Sequence, residues 1–162
     1  MGGYIAASKE IIDFVKQRSA GILYHNSTSP IICQQIITAF EVIMGRDGTN
    51  IGAKKLQALK DNANYFRSEM TRLGLHVLGD DDSPIVPVMM YIPGKLSAFS
   101  RECLKRGVAV VVVGFPATSV VTGRARFCIS AGHTHEDLEK AVKVIEEVSE
   151  LLYIRYSKYI LG

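Results

Sequence analysis

Residues 108–130 constrain this chain most. An apolar run over residues 108–113 ends at Gly114, the chain turns through Pro116, passes Arg124 and Arg126, and resumes as the apolar Phe127-Cys128-Ile129. This pattern predicts two short strands joined by a turn, the first of them in the core. In a strand, Arg124 and Arg126 share one face with Cys128 and Ser130, while Phe127 and Ile129 take the other. The arginine face is expected to lie under whatever covers the sheet. A guanidinium desolvated without a partner is costly, so a covered arginine needs an anion. Two kinds of anion suit it: a ligand carboxylate held by the guanidinium fork, or an Asp or Glu of the same chain in a structural ion pair.

Helices are predicted before this module. Residues 2–7 read as a short strand, and Ser8 as the N-cap of a helix with Ile11, Ile12, Phe14 and Val15 on its apolar stripe, closed by Gly21. The polar cluster of residues 24–30 carries a strong start signal, Ser29 as N-cap and Pro30 at the first helical position. The helix that follows, residues 30–44, is apolar enough to be largely buried. After a loop at residues 45–49, Asn50 caps a long helix to Leu73, closed by Gly74, with Leu56, Leu59, Ala63, Phe66, Met70 and Leu73 as its stripe. This helix (residues 51–74) is expected to bridge two lobes, residues 1–50 and 75–162.

Beyond it lie a short strand (75–78), an acidic turn (79–84) and a strand (85–92). Pro87 confines that last strand to an edge or a bulge. Pro93-Gly94 is expected to break the chain before a helix at residues 96–106, with Phe99, Cys103 and Leu104 inward and Gly107 as its cap. Thr134 to Asp137 resembles a capping box. The last helix reaches about Tyr153, with Leu138, Val142, Ile145, Val148, Leu151 and Leu152 on its buried side. The order of elements in the second half implies an α+β layer, a small, mostly antiparallel sheet with helices on one face.

The 162 residues, 48% hydrophobic and 22% charged, suffice for one ordinary core. The net charge of +3 is spread among acids with no basic stripe, which argues against nucleic acid. No apolar run approaches the roughly 20 residues of a membrane helix. Cys33, Cys103 and Cys128 have no metal-like spacing and are expected to be reduced and buried. Asp80-Asp81-Asp82 reads as a solvated turn rather than a cation loop, the histidines give no metal spacing, and His133 reads as a structural hydrogen-bonding residue beside a helix cap. The opening Met-Gly-Gly-Tyr, which looks like strand interior, suggests a parent chain that continues upstream.

Four groups of residues carry a resemblance over essentially the whole chain: Gly2-Gly3-Tyr4-Ile5-Ala6, the SPIVP stretch at 83–87, the VVVVGFPAT run at 110–118, and RARFCISA at 124–131 followed by His133-Thr134. Together they resemble the α-oxoamine synthases, pyridoxal-phosphate (PLP) enzymes of aminotransferase-like fold (fold type I), and within that family the catalytic subunit of serine palmitoyltransferase. The resemblance implies that residues 1–50 end a large PLP-binding domain and that residues 75–162 form the C-terminal small domain. It further implies condensation of L-serine with palmitoyl-CoA to 3-ketosphinganine with loss of CO2, in a dimer of identical or homologous subunits at the cytosolic face of the endoplasmic reticulum. Arg126 matches the arginine that binds the substrate carboxylate. Thr118 in the Pro-Ala-Thr turn is a further substrate contact, and Arg124 a second candidate. Asn26, Ser27 and Thr28 match the place that reaches a partner's cofactor phosphate, although a plain N-cap turn reads equally well. Ser119 departs from the family's usual proline. The family's Schiff-base lysine precedes the Gly-Gly-Tyr, so this chain alone is expected to be inactive and to bind the cofactor poorly. A glycine-using sibling enzyme and a non-catalytic α+β interaction module are the alternatives.

Overall fold

The computed structural model describes residues 5–24 and 26–156. The chain forms two compact units, Met1–Ala53 and Lys54–Gly162.

In the first unit, helix α1 (Lys9–Arg18) is followed by the short α2 (Ala20–Tyr24) and by α3 (Pro30–Ile43). Extended backbone at Ser19 ends α1, so Gly21 lies inside α2 rather than closing the helix. Residues 5–7 carry no strand, and the rest of the expected strand, with Tyr4, lies outside the described residues, as does His25. The α3 start is as read from its sequence: Pro30 opens the helix and the Ser29 hydroxyl accepts from the Ile32 amide at 3.4 Å. Its expected burial is not found. No α3 residue is buried, and Ile31, Ile37 and Ile43 are exposed. An apolar helix specifies that it should be covered without specifying by what.

Helix α4 (Ile51–Arg72) begins in the first unit and runs into the second. Its residues Ala63, Phe66 and Met70 are buried, followed by Leu73, whereas Leu56 is exposed. The second unit continues with β1 (Ile85–Met89), α5 (Pro93–Lys105), β2 (Val111–Val113), β3 (Arg124–Cys128) and α6 (His135–Leu151). The sheet is antiparallel in the order β1-β3-β2, with Pro87 opposite Arg126 and Val111 opposite Arg126 on the other side. Pro87 thus sits in an outer strand, as its missing amide requires. The expected strand at 75–78 is a single bridge, Val77 to Val88.

Helices cover one face of this sheet. Ala125 and Phe127 of β3 and Val86 and Val88 of β1 point into a core shared with Phe66, Phe99, Ile145 and Val148. The Phe127 ring lies 5.1 Å from Phe66, tilted, and 6.4 Å from Phe99, edge to face. Pro93 does not break the chain but opens α5. That helix closes on Gly107, whose φ of 84° suits a residue without a Cβ. Leu104 and Leu151, expected inward, are exposed: each lies off the inward face of its helix, which Leu96, Phe99 and Cys103 set in α5 and Leu138, Val142, Ile145 and Val148 in α6. The run at 108–113 is not a core strand: only residues 111–113 pair, on an edge, and Val111 is exposed. Of the three cysteines only Cys103 is buried, which pushes its thiol up to about 11.

Candidate functional site

Strand β3 alternates as its sequence predicts. Ala125 and Phe127 face the core, while Arg124, Arg126 and Cys128 point the other way. The arginine face was expected to be covered; among the described residues it is open, and Arg126 is exposed. No carboxylate of the described residues pairs with either arginine. The Arg124 Nε donates to the Thr122 carbonyl at 3.3 Å, whereas the Arg126 side chain has no hydrogen bond or ion pair among the described residues. Its position therefore depends on the main chain of the central strand, flanked by Pro87 and Val111.

Arg126 lies at a cleft of about 420 Å³. The cleft opens where β2 and β3 part: the register ends at Val111 opposite Arg126, and Val110 and Phe127, next in line, are not paired with each other. Val108, Ile129, Leu138 and Ala141 give it apolar walls, and Arg126, His133, Lys140 and the capping carboxylate Asp137 give it charged or polar edges. A few polar groups on an apolar concavity of this size are the usual make-up of a small-ligand site. Lys140 pairs with Glu136 at 2.9 Å, which leaves Arg126 as the unengaged guanidinium.

Thr118 sits in the loop between β2 and β3, half-buried, its amide donating to the Gly114 carbonyl at 3.2 Å and its hydroxyl to that of Ser119 at 3.2 Å. Ser119, in place of a proline, caps a short 3-10 turn at Val120–Thr122, its hydroxyl 2.8 Å from that of Thr122. Gly123 ends the loop, and a Cβ there would lie 2.4 Å from Leu96 Cδ1. The loop thus meets Leu96 of α5 closely at its two ends, Gly114 and Gly123, while Phe115, Val120 and Val121 between them are exposed.

His133 is a hinge of local structure: its Nδ1 accepts from the Ser130 amide at 3.2 Å. Thr134 and Asp137 form the full capping box of α6, which holds the Asp137 carboxyl below its ordinary range through the Thr134 hydroxyl and amide. Sequence reasoning missed two residues of α4. Asn62 bonds the carbonyls of Ser130 and His133 at 3.2 and 2.9 Å. Arg67, buried, donates to the carbonyls of Leu78, Gly79 and Ile85. The usable signal for Arg67 was a basic residue on the apolar side of a helix stripe; Asn62 has none in its neighbourhood.

Asn26, Ser27 and Thr28 belong to the first unit, on exposed chain ahead of α3. Their side chains have no hydrogen-bond partner among the described residues.

The model for aminotransferase class I and II matches residues 1–145. The chain belongs to this family. It is 55% identical over 155 residues to long chain base biosynthesis protein 2d of Oryza sativa subsp. japonica, a match covering 96% of this chain and 32% of the relative. To serine palmitoyltransferase 2 of Dictyostelium discoideum it is 50% identical over 158 residues, covering 98% of this chain and 32% of the relative. The chain spans about a third of the length of these relatives. Among solved structures, a high-resolution structure of SPT with a PLP internal aldimine matches with a TM-score of 0.73 at 19% identity, over 90% of this chain and 35% of that one. The aminotransferase-like fold expected from the family resemblance is therefore present, in its α+β form with a small antiparallel sheet.

Proposed function

We propose that this chain is the C-terminal part of a serine C-palmitoyltransferase, a PLP-dependent acyltransferase that condenses L-serine with palmitoyl-CoA to 3-ketosphinganine and CO2. The observation that carries the reading is the unengaged Arg126 guanidinium on the central strand, at the lip of a mostly apolar cleft. A fork held by strand backbone and not consumed by any described acid is available to a carboxylate. Arg126 binds the serine carboxylate and so orients the amino acid. Thr118 supplies a polar contact from the loop, and Arg124, tethered to Thr122, acts as a second, weaker cation.

PLP supplies the electron sink for this chemistry when bound. The residues present fit its phosphate in donor type: Asn26, Ser27 and Thr28 offer side-chain donors without partners among the described residues, next to the N-terminal amides of α3. In this reading they serve the cofactor of a partner subunit, identical or homologous, in a dimer at the cytosolic face of the endoplasmic reticulum. Residues 1–50 close the large domain, residues 51–74 bridge and residues 75–162 form the small domain.

Arg126→Ala in the full-length protein tests the assignment. Loss of a charge-assisted bidentate contact weakens serine binding by about 2 kcal/mol, roughly thirty-fold in KM. An unchanged serine KM removes the role given to Arg126. Glycine turned over in preference to serine by the unmodified protein replaces the substrate with that of a sibling enzyme.

A further inference from the structure

Arg126 is steered by its strand, and the strand loses half of its lateral support just beyond it. On the β1 side pairing continues to Ile85 opposite Cys128, and the Ile129 amide still donates to the Pro84 carbonyl at 2.8 Å. On the β2 side it stops at Val111 opposite Arg126, and the main chain of Cys128, which faces that side, meets no strand. A strand held along one edge only twists and frays more readily than one held along both.

The structure compensates from a different element. Asn62, half-buried on α4, spends both amide hydrogens on the turn that follows β3, one on the Ser130 carbonyl (3.2 Å) and one on the His133 carbonyl (2.9 Å). That turn is closed on itself by the His133 amide to the Ser130 carbonyl, the Ser130 amide to His133 Nδ1, and the Gly132 amide to the Ser130 hydroxyl. Fixing its two ends therefore fixes the whole turn, which starts at Ser130, and with it the end of β3 at Cys128, two residues past Arg126.

We infer that Asn62 is a positioning residue for the amino-acid substrate: it holds the unsupported end of β3 in register so that the Arg126 guanidinium keeps its aim. This rests on the reading of Arg126 as the carboxylate partner.

Asn62→Ala, Asn62→Asp and the control Asn64→Ala test it in the full-length protein, with serine kinetics and amide hydrogen exchange on each. Asn62→Asp keeps the shape and loses the donors, facing two carbonyls with a carboxylate. Asn64 lies on the same helix and also makes two bonds, both to Asp82 in another turn, at 2.7 and 3.0 Å. Loss of two neutral hydrogen bonds predicts a serine KM raised about three- to ten-fold by either Asn62 variant, with kcat nearly unchanged. The Ile129 and Ser130 amides, bonded to the Pro84 carbonyl and to His133 Nδ1, exchange roughly ten-fold faster, while those of Val86 and Val88 do not change. Asn64→Ala moves neither quantity. Unchanged exchange at Ile129 and Ser130, or an equal rise in KM from Asn64→Ala, overturns the inference. If Arg126→Ala leaves KM unchanged while Asn62→Ala speeds exchange at those amides, the clamp stands and the Arg126 reading is what fails.

Discussion

Arg124 and Arg126 lie two residues apart on one face of one strand, and the structure separates them by what each already holds. Arg124 is tied to the Thr122 carbonyl, so its charge is partly committed to the loop. Arg124→Ala is therefore expected to cost serine binding about 1 kcal/mol or less against roughly 2 for Arg126→Ala, a difference that serine KM values on the two variants measure directly. The cysteines divide in the same way. Burial pushes the Cys103 thiol up to about 11, whereas Cys33 and Cys128 are exposed. Maleimide labelling at neutral pH followed by peptide mass mapping should modify Cys33 and Cys128 and spare Cys103 in the folded chain. At this scale the arginines were readable from spacing alone, since period two on a strand fixes their shared face. Asn62 was not readable, because its acceptors lie 68 and 71 residues away and nothing local to a mid-helix asparagine records them.

Two helix starts were read well because their caps are local, whereas the end of α1 at Gly21 and the break at Pro93 were misread. Ser29-Pro30 and Thr134 to Asp137 each declare themselves within four residues, and both stand in the structure. Thr134→Ala should cost about 1 kcal/mol in chemical denaturation, since it leaves the first turn of α6 without its hydroxyl acceptor. Between helices, charge is arranged to a similar end. Glu102 of α5 bonds Lys105 and Arg106, and Arg106 reaches Glu147 of α6 at 3.4 Å. Those hydrogen bonds lower the Glu102 carboxyl to about 2 from an ordinary 4.5. A depressed carboxyl contributes stability that is fully present above the ordinary value and lost as pH falls through the folded one. Glu102→Gln should therefore flatten the fall in stability between pH 4.5 and 2 relative to the unmodified chain, read from denaturation midpoints at low salt; an unaltered slope would show the pairing contributes nothing. Strand burial was harder to foresee. Residues 108–113 read as core from composition, yet β2 is an outer strand, because sheet order is decided by partners far along the chain.

For the molecule as a whole, the sequence pattern told what each element would prefer and could not tell what the rest of the protein supplies. The second unit has its preference met: α4, α5 and α6 close one core over the sheet. The first does not. Ile31, Ile37 and Ile43 of α3 are exposed, and Ile11, Phe14, Ile22 and Tyr24 of α1 and α2 are exposed as well. Exposed apolar side chains in this number are unusual for a free-standing soluble chain. It accords with relatives three times as long, in which more chain is present to cover such a face. Produced by itself, the chain should hide this surface by self-association: light scattering should report dimers or larger species, and a hydrophobic dye should bind with enhanced fluorescence. Ile37→Lys together with Ile43→Lys, on the exposed α3, should reduce both signals without lowering the unfolding midpoint of the second unit, since neither side chain belongs to that core. A monodisperse monomer that leaves the dye dark would mean that the first unit folds over its own apolar face, and the exposure seen for α3 would not describe the chain in solution.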